Sequence, residues 1–382
     1  MTKIVFWVSA CFVLYAYAGY PVAVWLLSRL VPDKRRAHGT GRLPLVSLLI
    51  SAYNEEDVIE DKITNSLSLT YPRELMEIVV VSDGSDDRTD AIVASYAKHG
   101  VVLKRFEGRI GKTACLNAVV PSLRGEVVIF SDANSLYEKN AVTNLVSNFG
   151  DPQVGFVTGH TKYREEKDSD VSATVGTYAV LEKFTKMAES RLSSCVGADG
   201  AIFGIRKHLY RPLNDTDIND FVIPLRIVQQ GYRGVLEEEA WCVERTAGDQ
   251  AGEFRRQLRI TNRTLRAIFR NAGLLNPFRY GLFSFQLFSH KIARFLTPVP
   301  LVLLIVCNIA LVRVGAIYGI AMVLQTAFFL LAWFGYQGWR FKAFPALVSL
   351  SYTFVTNNLA ITAGWLHFIK GKTYTTWAPV KR

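Results

Sequence analysis

Apolar positions along the chain fall into long uninterrupted stretches and short punctuated runs, and the two kinds divide it into regions. Four stretches approach the roughly 20 residues a helix needs to cross a hydrocarbon core. These are 4–31, uncharged before Arg29; 295–312, apolar around Pro298 and Pro300; 316–336, without charge; and 344–369, uncharged but carrying Asn357, Asn358 and His367. The first is too long and too aromatic for a cleaved leader, so it is expected to stay as an anchor. Between it and the second stretch the rhythm changes. Short apolar runs at 45–51, 78–82, 101–105 and 127–131 read as buried strands, and 58–69, 89–99 and 113–123 carry helical spacing. Strands alternating with helices predict an α/β domain, Rossmann-like, with a mainly parallel sheet covered on both faces. Further strands are expected at 154–158, 201–205 and 234–238. The expected order is a transmembrane anchor (1–31), a basic linker (32–44), the α/β domain (45–250), amphipathic interfacial helices (251–294), about three transmembrane helices (295–369) and a basic tail (370–382).

Composition agrees with a membrane-embedded chain, since half of the 382 residues are hydrophobic. The net charge of +11 is placed unevenly. Lys34, Arg35, Arg36 and Arg42 follow the first stretch, and Arg340 and Lys342 separate the third from the fourth. Cytoplasmic loops carry such an excess. The region 32–294 is therefore expected in the cytoplasm, on a multi-pass protein of the inner or plasma membrane. One conflict follows. Four crossings put the tail outside, yet it carries Lys370, Lys372, Lys381 and Arg382. No recognition motif accompanies the basic charge, so nucleic acid is not expected as a partner. Cys11, Cys115, Cys195, Cys242 and Cys307 form no close pair, which argues against a disulfide framework or a cysteine metal cluster.

Open α/β sheets bind ligands at the carboxyl ends of their strands. Three polar clusters fall there: 51–56 after the first strand, 82–87 after the second and 131–134 after the fourth. Singly, each reads as a turn or a helix cap; three on one sheet edge indicate a ligand site. Two nucleotide motifs are excluded. A dinucleotide fold needs three glycines after its first strand, where this chain has Tyr53-Asn54-Glu55-Glu56. A P-loop ending in Gly111-Lys112-Thr113 would need its first glycine where Phe106 stands.

The order Ala52-Tyr53-Asn54-Glu55, Asp83-Gly84-Ser85, Gly111-Lys112, Asp132-Ala133-Asn134, with 200–207 and Asn219-Asp220 beyond, resembles family 2 glycosyltransferases of the GT-A fold. The flanking apolar stretches resemble the branch that contains cellulose, hyaluronan, chitin and poly-N-acetylglucosamine synthases. That resemblance implies inverting transfer of a sugar from a nucleotide-sugar, UDP-linked, to a saccharide or lipid-linked saccharide acceptor, in exopolysaccharide or cell-surface glycan synthesis. It implies Mg²⁺ or Mn²⁺, which neutralises the departing diphosphate. Residue by residue, it gives Ala52, Tyr53, Asn54, Glu55, Asp83, Gly84, Lys112 and Asp132 to the nucleotide, with Asp83 reading uracil and Lys112 meeting the diphosphate. Asp132 becomes the metal ligand, with Asn134 where the family has a second acid. Asp220 becomes the base that deprotonates the acceptor, and Asp199 and Gly200 shape the acceptor pocket. Asp215 and Asp217 are read as parts of a polar turn.

The stretch 254–270 is amphipathic, with Arg255, Arg259, Arg263, Arg266 and Arg270 on one face, and is expected as an interfacial helix with its arginines at lipid headgroups. Processive relatives carry Gln-x-x-Arg-Trp in this region. Here Gln257 is followed by Ile260 and Thr261 at the Arg and Trp places, leaving Arg256, Arg259 or Arg263 to meet the diphosphate. A rival class is a transporter or receptor with a nucleotide-binding domain. Its spans would line a polar pathway, whereas Asn308, Gln325, Asn357, Asn358 and His367 are scattered.

Overall fold

A computed structural model describes residues 1–32, 42–164, 170–245, 250–338 and 345–375. The basic residues Lys34, Arg35, Arg36, Arg340, Lys342, Lys381 and Arg382 lie outside them.

Among the described residues eight strands form one sheet: β1 (Val46–Ala52), β2 (Met76–Ser82), β3 (Val101–Arg105), β4 (Val127–Asp132), β5 (Leu136–Tyr137), β6 (Val154–Arg164), β7 (Ile202–Arg206) and β8 (Arg233–Arg245). Their order is β3-β2-β1-β4-β7-β6-β8-β5. The expected parallel sheet holds for β3, β2, β1 and β4. Beyond β4 the sheet is mixed: β7 runs antiparallel to both β4 and β6, and β8 is parallel to β6. All seven residues of β1 and of β2 are buried. That is why those runs read as continuous apolar segments and not as alternation. α2 (Ile59–Leu67), α3 (Thr89–Ser95) and α5 (Ala141–Ser147) contribute to one buried cluster. α4 (Lys112–Val119) and α7 (Asn219–Gln229) contribute to the other. The carboxyl ends of β1, β2 and β4 lie side by side, with Ala52 in register with Ser82 and Ser51 with Asp132.

Helix α6 (Asp170–Leu192) connects this sheet to the apolar helices; at its end Ala188 packs with Tyr20 and Val24. Among the described residues two helices are long and apolar enough to cross a membrane, α1 (Thr2–Arg29) and α11 (Ala316–Tyr336). A third crossing is available if α9 (Leu282–Leu296) and α10 (Pro298–Leu311), bent by 52°, act as one span. Pro298 at the break lacks the N–H that would continue the helix ladder. The fourth expected span, α12 (Pro345–Ile369), has the length. With Asn357, Asn358 and His367 it is not among the described helices that qualify by composition.

The amphipathic stretch forms α8 (Gln250–Arg270). Several of its arginines turn toward protein groups instead of a free surface. Arg263 donates to the carbonyls of Thr216 and Asp217, and Arg270 to the Asp217 carboxylate at 2.7 Å. Arg266 and Asn262 both donate to the Lys372 carbonyl, at 2.7 and 3.2 Å. The chain after α12 is thereby held against α8. Asp217 also accepts from Arg226 at 3.2 Å.

Candidate functional site

The site is built where β1, β2 and β4 end. Asn54 takes φ +52°, a left-handed turn that asparagine tolerates. Its amide is used within the protein: it donates to Asp86 at 2.5 Å and accepts from the Asp86 N–H at 3.0 Å. The Glu55 N–H donates to Thr89 at 2.8 Å. Asn54 and the backbone of Glu55 therefore bind the turn after β1 to the turn after β2. Gly84 has φ +71°, and a Cβ there would stand 2.6 Å from the Gly108 carbonyl. Only glycine lets the turn after β2 press against the 106–111 loop.

Asp83 is buried, and one of its oxygens accepts the N–H groups of Ile110 and Gly111 at 2.8 and 2.9 Å. Its second oxygen is buried without a hydrogen-bond partner, with the Arg109 Nε 4.0 Å away. The Arg109 guanidinium also lies 3.8 Å from the centre of the Tyr53 ring. A flat aromatic-cation surface thus stands beside a carboxylate oxygen able to accept one more N–H.

Lys112, the first residue of α4, reaches Asp132 at the end of β4, at 2.5 Å. Beneath it Lys62 is fully buried, donates to the Ser135 carbonyl at 2.5 Å and lies 3.8 Å over the Tyr137 ring. Burial pulls its pKa down to about 7. Asp132 and Asn134 offer one carboxylate and one amide, and no group of three or more His, Cys, Asp or Glu placed to hold a metal ion exists among the described residues. This donor set fits a cation such as Mg²⁺, which is content with one carboxylate when phosphates and water supply the rest.

Asp220 lies in the first turn of α7. Gly200 presses on it: a Cβ at that position would meet the Asp220 Oδ2 at 2.8 Å. The Asp220 carbonyl accepts the Ala198 N–H at 2.7 Å, which ties the helix start to the loop carrying Asp199. Burial raises the pKa of Asp220; Lys112 and Lys186 nearby oppose the shift, and Asp132 and Asp199 add to it. Burial likewise raises Asp199, which accepts the Thr161 N–H and hydroxyl and the Ala201 N–H. Asp132, Asp199, Asp220, Lys112 and Lys186 therefore share one electrostatic environment.

On α8, Gln257 and Arg256 both pair with Glu253, the arginine through two contacts of 2.8 and 3.1 Å. Arg263 is anchored as described, and burial with Arg259 nearby lowers its pKa to about 10. The charge of Arg259 is felt against Arg256 and Arg109, which together with burial lower its pKa. Of the three expected diphosphate arginines, Arg256 is held by Glu253 and Arg263 by the Thr216 and Asp217 carbonyls, while Arg259 lies close enough to Arg109 for their charges to oppose each other. Gln257, Ile260 and Thr261 line a cavity shared with Asp199 and Asp220.

The pattern described as "Glycosyl transferase family 2" matches residues 47–212, the span holding the three strand-end clusters. Over this span the α/β domain, the family 2 domain, is similar to family 2 glycosyltransferases. Poly-beta-1,6-N-acetyl-D-glucosamine synthase of Staphylococcus aureus (strain MSSA476) is 27% identical over 206 residues, 52% of this chain and 49% of that protein. The probable glycosyltransferase YdaM of Bacillus subtilis (strain 168) is 29% identical over 203 residues, 50% of this chain and 48% of that protein. The chain thus spans about half the length of the curated relatives it matches. In overall fold it is similar to mannosyltransferase PcManGT from Pyrobaculum calidifontis, solved with GDP-Man and Mn²⁺. The TM-score is 0.72 and the identity 20%, with 97% of this chain and 100% of that one covered. That likeness includes the apolar helices as well as the family 2 domain.

Residues that sequence reading passed over surround the family 2 site. Arg109 is bracketed by Gly108 and Gly111, a spacing that marks a tight loop and was a usable signal. Lys62, between Asp61 and Ile63, reads as a solvated lysine. Glu182 and Lys186 stand one helical turn apart, as do His290 and Arg294, but Glu182 and His290 are 108 positions apart and the two pairs meet only in space.

Proposed function

We propose that the protein is an inverting glycosyltransferase that moves a sugar from a nucleotide-sugar, UDP-linked, to a saccharide acceptor at the cytoplasmic face of a multi-pass membrane protein. The observation that carries this reading is the packing of Asp220 against Gly200 beside the Lys112–Asp132 pair.

In this reading the base stacks near Tyr53 and Arg109, and the spare oxygen of Asp83 accepts the imide N–H. Lys112 and Arg259 face the diphosphate as fixed cations. Asp132, helped by the Asn134 amide, would hold Mg²⁺ or Mn²⁺, whose Lewis acidity assists the leaving diphosphate. Asp220 accepts the proton of the acceptor hydroxyl as its oxygen forms a bond to the anomeric carbon. The bond from that carbon to the phosphate oxygen breaks, and the nucleoside diphosphate leaves with the electron pair. One such displacement inverts the anomeric centre, so an α-linked donor gives a β-linked product.

The test is donor turnover by the purified full chain, offered UDP- and GDP-sugars with and without Mg²⁺ or Mn²⁺. Release of UDP from a UDP-sugar, lost in Asp220→Asn, is expected. No turnover of any donor by the wild type would overturn the reading. Sizing the product separates single addition, which Ile260 and Thr261 in the cavity wall favour, from polymerisation.

A further inference from the structure

Helix α6 lays one buried lysine against the acids of the cleft. The Lys186 side chain donates to the Ala198 carbonyl at 3.1 Å. The peptide it holds leads directly into Asp199, and the Ala198 N–H binds the Asp220 carbonyl at 2.7 Å. Lys186, Asp199 and Asp220 line one cavity of about 510 Å³. Lys186 also stands 3.6 Å from Glu182, one turn earlier on α6. Glu182 has other cations on it: Lys291 at 3.0 Å, Arg294 at 3.1 Å and the His290 Nε2 at 2.9 Å. Pairing of Glu182 therefore does not require Lys186.

A buried ammonium is costly to desolvate and persists where acids answer it. Burial works against the charged form of Lys186, yet Glu182, Asp199, the Cys195 thiol and Asp220 raise its pKa above the ordinary lysine value. The cleft acids show the converse. Burial pushes both up; Lys186 is the first charge to oppose the rise at Asp199 and, after Lys112, the second at Asp220. The charged groups facing Asp220 are Lys112 of α4, Lys186 of α6, Asp132 at the end of β4, Asp199 before β7 and Arg263 of α8. Lys112 is bound to Asp132 at 2.5 Å and faces the diphosphate in the proposed reaction, so its charge is shared with the donor. Arg263 is held by the Thr216 and Asp217 carbonyls and the Thr113 hydroxyl. The polar contacts of the Lys186 ammonium, with Glu182 and the Ala198 carbonyl, involve no donor-binding group and no metal ligand. Its charge beside Asp220 is thus the same at every stage of turnover.

We propose that Lys186 is a positioning residue for sugar transfer: its buried ammonium is the fixed counter-charge that keeps the Asp220 carboxyl ionised beside the acceptor, and its bond to the Ala198 carbonyl holds the Asp199 loop against Asp220. The acceptor's proton goes to Asp220 and not to Lys186, which stays charged through the displacement. Lys186 acts through Asp220 and touches no reacting atom. This rests on the glycosyltransferase reading, because only a base needs its ionised form held at neutral pH.

The experiment is the pH dependence of UDP release from a UDP-sugar by the purified full chain, at saturating donor, across about pH 5 to 9. Lys186→Gln removes the charge and leaves an amide able to donate to Ala198; Lys186→Arg keeps the charge. Loss of a nearby opposite charge raises a carboxyl pKa by about 1 unit. The acid limb of kcat is therefore expected to move up by that amount in Lys186→Gln, with donor KM little changed, and to stay in place in Lys186→Arg. Lys291→Gln removes a cation that touches Glu182 and neither cleft acid, and should leave the limb where it was. A lower plateau in Lys186→Gln with an unmoved limb would mean a structural role and overturns the proposal. So does a limb absent from both proteins, or one that Lys291→Gln moves as far. Thermal unfolding gives a second readout without turnover. Asp220→Asn should raise Tm more in the Lys186→Gln background than in wild type, because it removes the acid that lost its counter-charge; an equal or smaller rise overturns the proposal. Where Lys186→Gln alone does not fold, the double variant is expected to, and its failure counts against the proposal in the same way. The two readings fail separately. Donor turnover with an unmoved limb removes only the role of Lys186, and absence of donor turnover in the wild type removes the glycosyltransferase.

Discussion

Asp220 owes its proposed role to its surroundings, and those surroundings make its behaviour testable. Burial favours the neutral carboxyl, so its folded pKa lies above its unfolded one. A base must be ionised to act. The acid limb of kcat is therefore expected above the ordinary aspartate value of about 3.9, read from a pH–rate profile on saturating donor. The same shift fixes the stability sign. The fold's preference for the neutral form is fully felt below the unfolded pKa and is lost as pH rises through the folded pKa, so ionised Asp220 costs stability at neutral pH. Asp220→Asn should then lose sugar transfer by on the order of 10²–10⁴-fold while its Tm at pH 7.5 is no lower than wild type. A Tm several degrees lower would mean that the carboxylate is structural. Gly200→Ala probes the same contact from the other side. The added methyl would crowd a side-chain oxygen and not backbone, so the protein should fold and Asp220 should shift. A loss of about 10² in kcat is expected, the size that a misplacement near 1 Å produces, with donor KM little changed.

Between elements, the junction of α8 with the family 2 domain depends on one buried acid. Asp217 is 1% exposed and takes Arg226 and Arg270 on its carboxylate while its carbonyl takes Arg263. Asp217→Ala leaves these arginines facing one another. Because Arg226 and Arg270 are partly exposed, the cost is discounted from that of a fully buried pair to about 2 kcal/mol. Urea unfolding should read it, and a change under 0.5 kcal/mol would show that the junction rests on apolar packing instead. This junction was only half legible in the chain. The strands β1, β2 and β4 were readable because burial on both faces leaves continuous apolar runs, and the site clusters were readable because they interrupt those runs at the ends. Asp217 was correctly placed in a polar turn. What it holds was hidden, because a row of arginines on an amphipathic helix has the same pattern whether it meets lipid phosphates or a protein acid. Lys62 was hidden for a similar reason: Glu60 and Asp61 before it suggest a wet helix face, and only the packing of Tyr137 over its ammonium shows otherwise.

At the scale of the whole molecule, the basic tail that conflicted with four crossings fits three. With α1, the α9–α10 pair and α11 as the spans, the chain leaves α11 on the side where the family 2 domain lies, and α12 need not cross. Two observations favour this arrangement. The polar residues Asn357, Asn358 and His367 lower the apolarity of α12. The Lys372 carbonyl is bound by Arg266 and Asn262 of α8, whose neighbours Arg263 and Arg270 hold the family 2 domain. A chain that had crossed to the far side could not reach α8, since a hydrocarbon core of about 30 Å would intervene. Cysteine labelling decides it. Cys11 is exposed and is first replaced by Ser; the other four native cysteines are buried. Val314, exposed in the connection between α10 and α11, and Thr373, exposed after α12, are then changed to Cys one at a time. A membrane-impermeant maleimide added to intact cells should label Val314→Cys at once and Thr373→Cys only after permeabilisation. Labelling of both in intact cells would make α12 a fourth span and return the tail to the outside, and the Lys372 contacts with α8 would then have to be abandoned.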